Sequence, residues 1–310
     1  MSLRVLVTGA NGRTGRAVVS ALARYGATHG ADPAPRIRAF IRDAAQAPAL
    51  AAIGADEHAV GNMADPASIA TAMTGCDALV HIGPPMHPDE LSMTQTFIRI
   101  AKDQQLAHFV YYSVMHPLRR EVRHHRLKLE TEECVIESGL TYTIVQPTRY
   151  MQHLENIWKA VTEQGLHSMP FSTQVPFNIA DLADLAEATA RVVLESAAKG
   201  PTPGQHHFAT YELAGPEPLS QDDMAKILTE ELGRQVRAQA LPLEVMAERA
   251  RAAGVSADRI EQMRIMNDHY DRHGFRGNPN VLAMLLGRAP NRYRDYVRRL
   301  IAARAGSAKS

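Results

Sequence analysis

The sequence lacks the features that mark several classes of protein. Its 310 residues contain two cysteines, Cys76 and Cys134, which are too few for a disulfide framework. Neither a CxxC nor an HExxH spacing occurs, so we expect no metal. No apolar run approaches the roughly 20 residues of a membrane span, and a net charge of +1 provides no basic field for nucleic acid. We therefore expect a small-molecule partner, and neither a membrane nor a nucleic acid.

The first residues of the chain and its two cysteines indicate where in the cell the protein is found. An apolar strand begins at Leu3, which leaves no room for a secretory signal. The two cysteines have the character of reduced, partly buried thiols. We expect a cytoplasmic protein that exists as a monomer or a homodimer.

Three glycines follow the first apolar strand at regular spacing. Gly9, Gly12 and Gly15 lie between this strand and a helical pattern that starts at Arg16. A strand that passes through glycines into a helix brings free backbone N–H groups and the positive helix end to one point, which suits a pyrophosphate. The glycines allow a tight turn, close approach of phosphate and close packing of helix on strand. This context predicts dinucleotide binding, and an ordinary strand–helix turn is the alternative.

Strand and helix patterns alternate over the first half of the chain. The predicted strands are 3–7, 36–41, 58–60, 78–82, 108–112 and 141–145, and the predicted helices are 16–25, 44–53, 66–73, 91–105 and 126–137. This order predicts right-handed crossovers and an α/β fold, a Rossmann-type doubly wound parallel sheet.

After Pro147 the pattern changes to longer helices. These are predicted at 154–163, 181–195, 221–232, 243–253 and 292–304, with one strand candidate at 207–213. We expect residues 1–150 to form the nucleotide-binding Rossmann domain, with a segment at about 178–214 returning to it. Residues 151–310 should form a smaller, mostly helical lobe on the substrate side.

The end of the second strand bears on the choice between NAD and NADP. An acidic residue there would hold the ribose 2′-hydroxyl, whereas an arginine pairs with a 2′-phosphate. The strand closes at Ile41 and is followed by Arg42 and Asp43, and Arg13 lies inside the glycine turn. Two arginines near one site favour NADP(H). The alternative is that Arg42 and Asp43 form a solvated surface pair.

Several segments together resemble the NmrA-like branch of the atypical short-chain dehydrogenase/reductases. They are Thr8–Gly15, Arg42, Ser113–Pro117, Lys128 with Glu130 and Glu133, and Gln146–Met151. The resemblance covers residues 1 to about 215 well and the rest loosely. It implies a Rossmann fold with NADP(H) across the strand ends and substrate between the lobes. The family includes reductases of quinones, other carbonyls or azo compounds, and also cofactor sensors without turnover.

The resemblance implies a catalytic set that departs from the wider superfamily. Typical members have Tyr-x-x-x-Lys, in which the lysine holds the nicotinamide ribose and lowers the tyrosine pKa. Lys128 matches this lysine and Ser113 the superfamily's serine, but His124 stands at the tyrosine position. A neutral imidazole donates protons near neutral pH, so His124 or His125 is one candidate donor and Tyr150 another. The alternative is that the two histidines simply form a polar helix start.

The expected cofactor contacts extend along the strand ends. Gly83 and Pro84 should border the cofactor after the fourth strand, and Asn62 and Met63 should lie beside adenine. The complete expected set is Gly9, Asn11, Gly12, Arg13, Thr14, Gly15, Arg42, Asn62, Met63, Ile82, Gly83, Pro84, Ser113, Val114, Lys128, Pro147 and Tyr150.

The leading hypothesis is an NADPH-dependent oxidoreductase that needs neither flavin nor metal. It would transfer hydride to an apolar unsaturated acceptor such as a quinone, carbonyl, imine or azo compound. The alternative is a non-enzymatic NADP(H)-binding sensor of the NmrA type. Epimerisation of a nucleotide sugar is disfavoured because it usually needs the intact tyrosine pair.

Overall fold

The computed structural model describes residues 2–28, 34–197 and 202–307. The strands are β1 (Arg4–Val7), β2 (Arg36–Ile41), β3 (Glu57–Val60), β4 (Ala78–His81), β5 (His108–Tyr112), β6 (Tyr142–Pro147), β7 (Leu166–Met169), β8 (Phe177–Asn178), β9 (Ala209–Leu213), β10 (Pro218–Leu219) and β11 (Arg237–Ala240). The helices are α1 (Arg13–Thr28), α2 (Ala47–Ala51), α3 (Pro66–Met73), α4 (Glu90–Asp103), α5 (Arg123–Glu137), α6 (Leu182–Ser196), α7 (Gln221–Leu232), α8 (Leu243–Ala252), α9 (Ala257–His273), α10 (Asn280–Leu286) and α11 (Tyr293–Ser307).

Backbone contacts divide the chain into two compact units. Unit 1 consists of Met1–Arg119, His125–Pro147 and Leu185–Glu212. Unit 2 consists of Arg120–His124, Thr148–Asp184 and Leu213–Ser310. No helix in the described part of the chain is long and apolar enough to cross a bilayer.

A seven-stranded sheet runs in the order β3-β2-β1-β4-β5-β6-β9. Neighbouring strands from β3 to β6 pair in parallel. The Phe208 N–H donates to the Tyr142 carbonyl and the Thr148 N–H to the Leu213 carbonyl, so β9 runs parallel to β6. The strand order reverses between β1 and β4, and this switch point is where open α/β sheets bind ligands. The predicted Rossmann-type α/β fold is confirmed.

The core of unit 1 is apolar because its central strands are covered on both faces. Every residue of β4 and β5 is buried. Helices α3 and α4 present Ile69, Met73 and Phe97 to Leu79 and Phe109 of the sheet. This packing holds the strand ends in fixed positions around the switch point.

Unit 2 is built from helices and short strand pairs. Strands β7 and β11 pair in parallel, and β8 and β10 pair antiparallel. Helix α7 begins with a capping box in which the Ser220 hydroxyl and the Asp223 carboxylate each accept a backbone N–H. The buried Asp184 carboxylate accepts hydrogen bonds from Arg288 and Asn291, which joins α6 to the segment before α11.

Two predicted helices differ in the structure. Residues 44–53 form a 3₁₀ turn (Ala44–Gln46) followed by α2, since Pro48 at the start of α2 lacks the N–H that a continuous helix needs. Residues 154–163 lie in a 3₁₀ segment (Met151–Ile157) and a π segment (Ala160–Gln164). There the N–H of Gly165, at φ 62°, donates to the Ala160 carbonyl five residues earlier.

Candidate functional site

The glycine turn lies at the switch point and leaves no room for side chains. Gly9 has φ +59°, and a Cβ there would lie 2.8 Å from the Ile82 carbonyl oxygen. A Cβ on Gly15 would lie 2.2 Å from the Gly9 carbonyl oxygen. The Gly12 N–H donates to the Gly9 carbonyl at 2.9 Å, which closes the turn. Both Gly9 and Gly15 are therefore required by the backbone itself.

The start of α1 provides a site for an anion. This 16-residue helix begins at Arg13 and has no acidic residue in its first turn. Its first N–H groups have no partner within the helix and carry the positive end of the helix dipole. Asn11, two residues before the helix start, is exposed and accepts a hydrogen bond from Arg16. Thr14 is partly buried in the first turn. A pyrophosphate fits this arrangement of glycines and helix start.

The residues that follow β2 are those expected to contact a 2′-phosphate. The Asp43 carboxylate accepts the Ala45 N–H at 2.9 Å and caps the following 3₁₀ turn. Arg42 is exposed and has no ion-pair partner among the residues that the structure describes. The Arg42–Asp43 surface pair is thus absent from the described structure, and Asp43 instead caps the next turn. Arg13 is also exposed, in the glycine turn.

The other residues that we expect to contact the cofactor follow the strands β3 and β4 of unit 1. Asn62 is exposed and its side-chain oxygen accepts the Ala64 N–H, whereas Met63 packs partly on the core. Ile82, Gly83 and Pro84 are all partly buried after β4. The Thr8 hydroxyl oxygen accepts the Ile82 N–H at 2.8 Å, so the ends of β1 and β4 are fastened together.

Lys128 is buried beside a carboxylate that sequence reasoning missed. Its Nζ lies 2.5 Å from Glu90 Oε1 and donates to the Tyr112 carbonyl at 2.8 Å. The Tyr111 hydroxyl donates to the same Glu90 oxygen at 3.0 Å. Glu90 Oε2 is buried without a hydrogen-bond partner in the described structure, and a Cβ on Gly83 would lie 3.3 Å from Oε1. No sequence pattern marked Glu90, because an acid in a helix's first turn is ordinarily exposed.

Ser113 is tied into the interior of unit 1. Its hydroxyl donates to Glu132 Oε1, and the Gln146 amide donates to both Glu132 oxygens at 2.9 Å. Burial raises the pKa of the Glu132 carboxyl above its ordinary value, and this outweighs the hydrogen bonds from Ser113 and Gln146 and the charge of Lys128, which act to lower it. Beyond Ser113, Val114 is partly exposed, and the Pro147 carbonyl accepts the Met115 N–H.

The two adjacent histidines have different environments. His125 is fully buried, and its Nδ1 donates to the His116 carbonyl at 2.8 Å. His124 is partly buried at the start of α5 and belongs to unit 2. The backbone hydrogen bond gives His125 a structural role, which leaves His124 as the histidine candidate for proton donation.

Tyr150 belongs to unit 2. Its ring stacks on that of His153, with ring centroids 5.9 Å apart. Arg149 and Met151 hydrogen-bond through their backbones to Ala180, which fixes this segment. Tyr150 lines a small cavity of about 30 Å³ together with Arg149 and mainly apolar side chains. The structure therefore places Ser113 and Lys128 in unit 1, and His124 and Tyr150 in unit 2.

The profile of the NmrA-like family matches residues 1–282. The chain belongs to the NmrA-like family. It is 30% identical over 241 residues to the NAD(P)H azoreductase of Xenophilus azovorans, covering 77% of this chain and 78% of that protein. It is 26% identical over 287 residues to quinone oxidoreductase 2 of Escherichia coli K12, covering 91% and 93%. The expected family resemblance is confirmed.

Among solved structures, the fold is similar to that of the Citrobacter sp. triphenylmethane reductase complexed with NADP(H). The TM-score is 0.79 at 24% identity, covering 96% of this chain and 99% of that one. No group of three or more metal-ligating side chains occurs within residues 2–28, 34–197 and 202–307.

Proposed function

We propose that this protein is an NADPH-dependent, flavin-free reductase that transfers hydride to an apolar unsaturated acceptor, such as a quinone, carbonyl, imine or azo compound. The names of the azoreductase and the quinone oxidoreductase support the reaction type. The observation that carries the proposal is the glycine turn at the switch point, with Arg42 exposed and Asp43 engaged in a cap.

The free thiols of Cys76 and Cys134 suit the cytoplasm that we propose as its location.

The residues of unit 1 are the ones that would hold the cofactor. The turn at Gly9 to Gly15 would bind the pyrophosphate. Arg42 and Arg13 would bind the 2′-phosphate. When bound, the reduced nicotinamide supplies a hydride, so the protein needs only to bind, orient and protonate. We assign the acceptor to the substrate-side lobe at residues 151–310.

Lys128 would orient the nicotinamide ribose. Its ammonium already donates hydrogen bonds to two groups, the Glu90 carboxylate and the Tyr112 carbonyl. An ammonium has three N–H donors, so one donor remains for a ribose hydroxyl. Glu90 also offsets the charge of a lysine that would otherwise be buried unpaired.

The proton would come from His124 or Tyr150, or from solvent. A neutral imidazole or a phenol delivers a proton to the reduced acceptor atom. Azo and quinone acceptors also take protons from water after hydride transfer, so replacement of the superfamily's tyrosine by His124 is compatible with turnover.

The test is to follow NADPH absorbance with purified protein and a panel of quinones, aldehydes, imines and azo dyes. We expect NADPH oxidation with at least one acceptor, and no loss of activity after treatment that strips flavin and metal. Turnover that disappears with removal of a flavin would contradict the flavin-free mechanism.

The second candidate is a cofactor sensor without turnover. One observation favours it, because His124 stands where the wider superfamily has the tyrosine that transfers the proton. Tight NADPH binding without reduction of any acceptor in the panel would support the sensor and contradict the reductase.

A further inference from the structure

Arg149 occupies an aromatic cage in unit 2. It lies two residues beyond β6, and its guanidinium carbon lies 5.0 Å from the ring centre of Phe171, 5.5 Å from Phe177 and 5.9 Å from Tyr270. Attraction between a cation and the faces of aromatic rings stabilises this arrangement. The side chain is partly buried by these rings.

The guanidinium has no carboxylate partner among the described residues. Burial lowers the pKa of Arg149, yet an arginine side chain stays charged in proteins. Elsewhere in unit 2, Arg288 pairs with Asp184 at 2.8 Å and Arg294 with Glu231 at 2.6 Å. The aromatic rings lie against the guanidinium, and none of the described residues accepts a hydrogen bond from its five N–H donors. These donors are therefore available to an acceptor from outside the chain.

The space for such an acceptor is the cavity that Arg149 lines. Its volume of about 30 Å³ exceeds the roughly 10–15 Å³ that one water requires on the same measure. It therefore fits a group with two oxygen atoms, such as a carboxylate. Its other walls are mostly apolar and include Met151, Met169, Ile179 and Met224.

We propose that this cavity is an oxyanion subsite, in which the Arg149 guanidinium binds the carboxylate of an organic acid. A guanidinium presents two parallel N–H groups that match the two oxygens of a carboxylate. The identification of this ligand as the acceptor rests on the proposed function, since a reductase of aromatic acceptors would then favour acidic ones. The subsite itself requires only binding.

The test compares a carboxylate with its neutral isostere. Binding of 2-naphthoate and 2-naphthamide is measured by calorimetry on the wild type, Arg149→Met and Arg149→Lys. We expect the wild type to bind the acid about tenfold or more tightly than the amide, as hydrogen bonds to charged groups allow. Arg149→Met should lose this preference, and Arg149→Lys should retain part of it without the bidentate geometry.

The control is Arg249→Met, which removes the same charge from an exposed position on α8. It should keep the full preference for the acid. Equal binding of acid and amide by the wild type would overturn the subsite, even if the Arg149 variants fail to fold. A preference that persists in folded Arg149→Met would overturn it as well.

Turnover separates this inference from the proposed function. Anthraquinone-2-carboxylate and its carboxamide are compared as acceptors of NADPH hydride. Reduction of both at equal kcat/KM would contradict the identification of the bound acid as the acceptor and leave the reductase intact. Arg149-dependent binding of naphthoate without reduction of either quinone or of any acceptor in the panel would contradict the reductase and leave the subsite intact.

Discussion

The ammonium of Lys128 and the carboxylate of Glu90 lie 2.5 Å apart in the interior of unit 1, with only 7% and 1% of their side chains exposed. Breaking a buried pair on one side leaves an uncompensated charge, whereas removing both partners does not. The pair links α4 to α5 beneath the loop that begins at Gly83. It connects the stability of unit 1 to the lysine that we assign to the ribose.

Glu90→Gln should therefore lower the free energy of unfolding by about 3–5 kcal/mol, because Lys128 would remain charged and buried. The double variant Glu90→Gln/Lys128→Met should be less destabilised than Glu90→Gln alone. Urea denaturation of the wild type, both single variants and the double variant measures this coupling. Additive losses would show that the two groups do not interact.

Arg42→Ala should weaken NADPH binding by about tenfold or more, because a hydrogen bond to a charged group contributes roughly 1.5–3 kcal/mol. NADH lacks the 2′-phosphate, so its affinity should stay nearly constant. Fluorescence titration of both cofactors gives the comparison, with Arg24→Ala on the exposed face of α1 as control. Equal losses of affinity for NADPH and NADH would contradict a contact between Arg42 and the 2′-phosphate.

Gly12→Val and Gly15→Val should fail in different ways. Gly12 is exposed and a Cβ there meets only the Gly9 oxygen at 3.2 Å, so the valine should block the pyrophosphate while the fold persists. At Gly15 a Cβ would lie 2.6 Å from the Ala10 Cα, so this variant should unfold more easily. Thermal unfolding and NADPH titration separate the effects. Normal NADPH binding by Gly12→Val would contradict the assignment of the turn.

His124→Ala should lower kcat by roughly 10²–10⁴ with little change in NADPH affinity, if His124 is the proton donor. His125→Ala is the matched comparison, and it should mainly reduce stability because His125 is buried and bonded to the His116 carbonyl. Near-normal turnover of His124→Ala would direct attention to Tyr150, tested as Tyr150→Phe. Full activity of both variants would assign protonation to solvent.

Acid should destabilise unit 1 through His81. Burial, with a smaller contribution from the charge of Lys128, lowers the pKa of His81 from 6.5 to about 3. Above pH 6.5 the histidine is neutral in both the folded and the unfolded chain, and folding carries no cost from its protonation. As pH falls from 6.5 towards 3, the unfolded chain binds a proton that the folded chain does not, and the free energy of unfolding decreases. The expected slope is about 1.4 kcal/mol per pH unit for this group. Urea denaturation at pH 7, 6 and 5 should show a smaller slope for His81→Gln, and an unchanged slope would contradict this origin.

The features that the sequence predicted well are local. Helix α7 has the bounds expected from its pattern, because its Ser220–Asp223 capping box lies within four consecutive residues. The glycine turn is equally local, and the alternation of strands and helices predicted the Rossmann sheet. Helix α9 was missed because it is rich in charged residues and buries few apolar side chains such as Ile260.

The contacts that the sequence could not predict join residues distant along the chain. Glu90 meets Lys128 across 38 positions, and Ser113 meets Glu132 across 19, only because α4, α5 and the strand ends converge. Neither glutamate stands out among the other acids of its helix. Arg149 was placed within a family motif, but its aromatic cage comes from three separate segments of unit 2.

The use of Asp43 as a cap has a consequence for protein engineering. Conversion of the proposed reductase from NADPH to NADH would ordinarily start by replacing Arg42 and relying on a nearby acid to hold the ribose hydroxyls. Here that acid already begins the next turn by accepting the Ala45 N–H. A redesign would need to supply a substitute cap before Asp43 could turn towards the sugar, so the coenzyme preference that we propose would be protected by a local folding requirement.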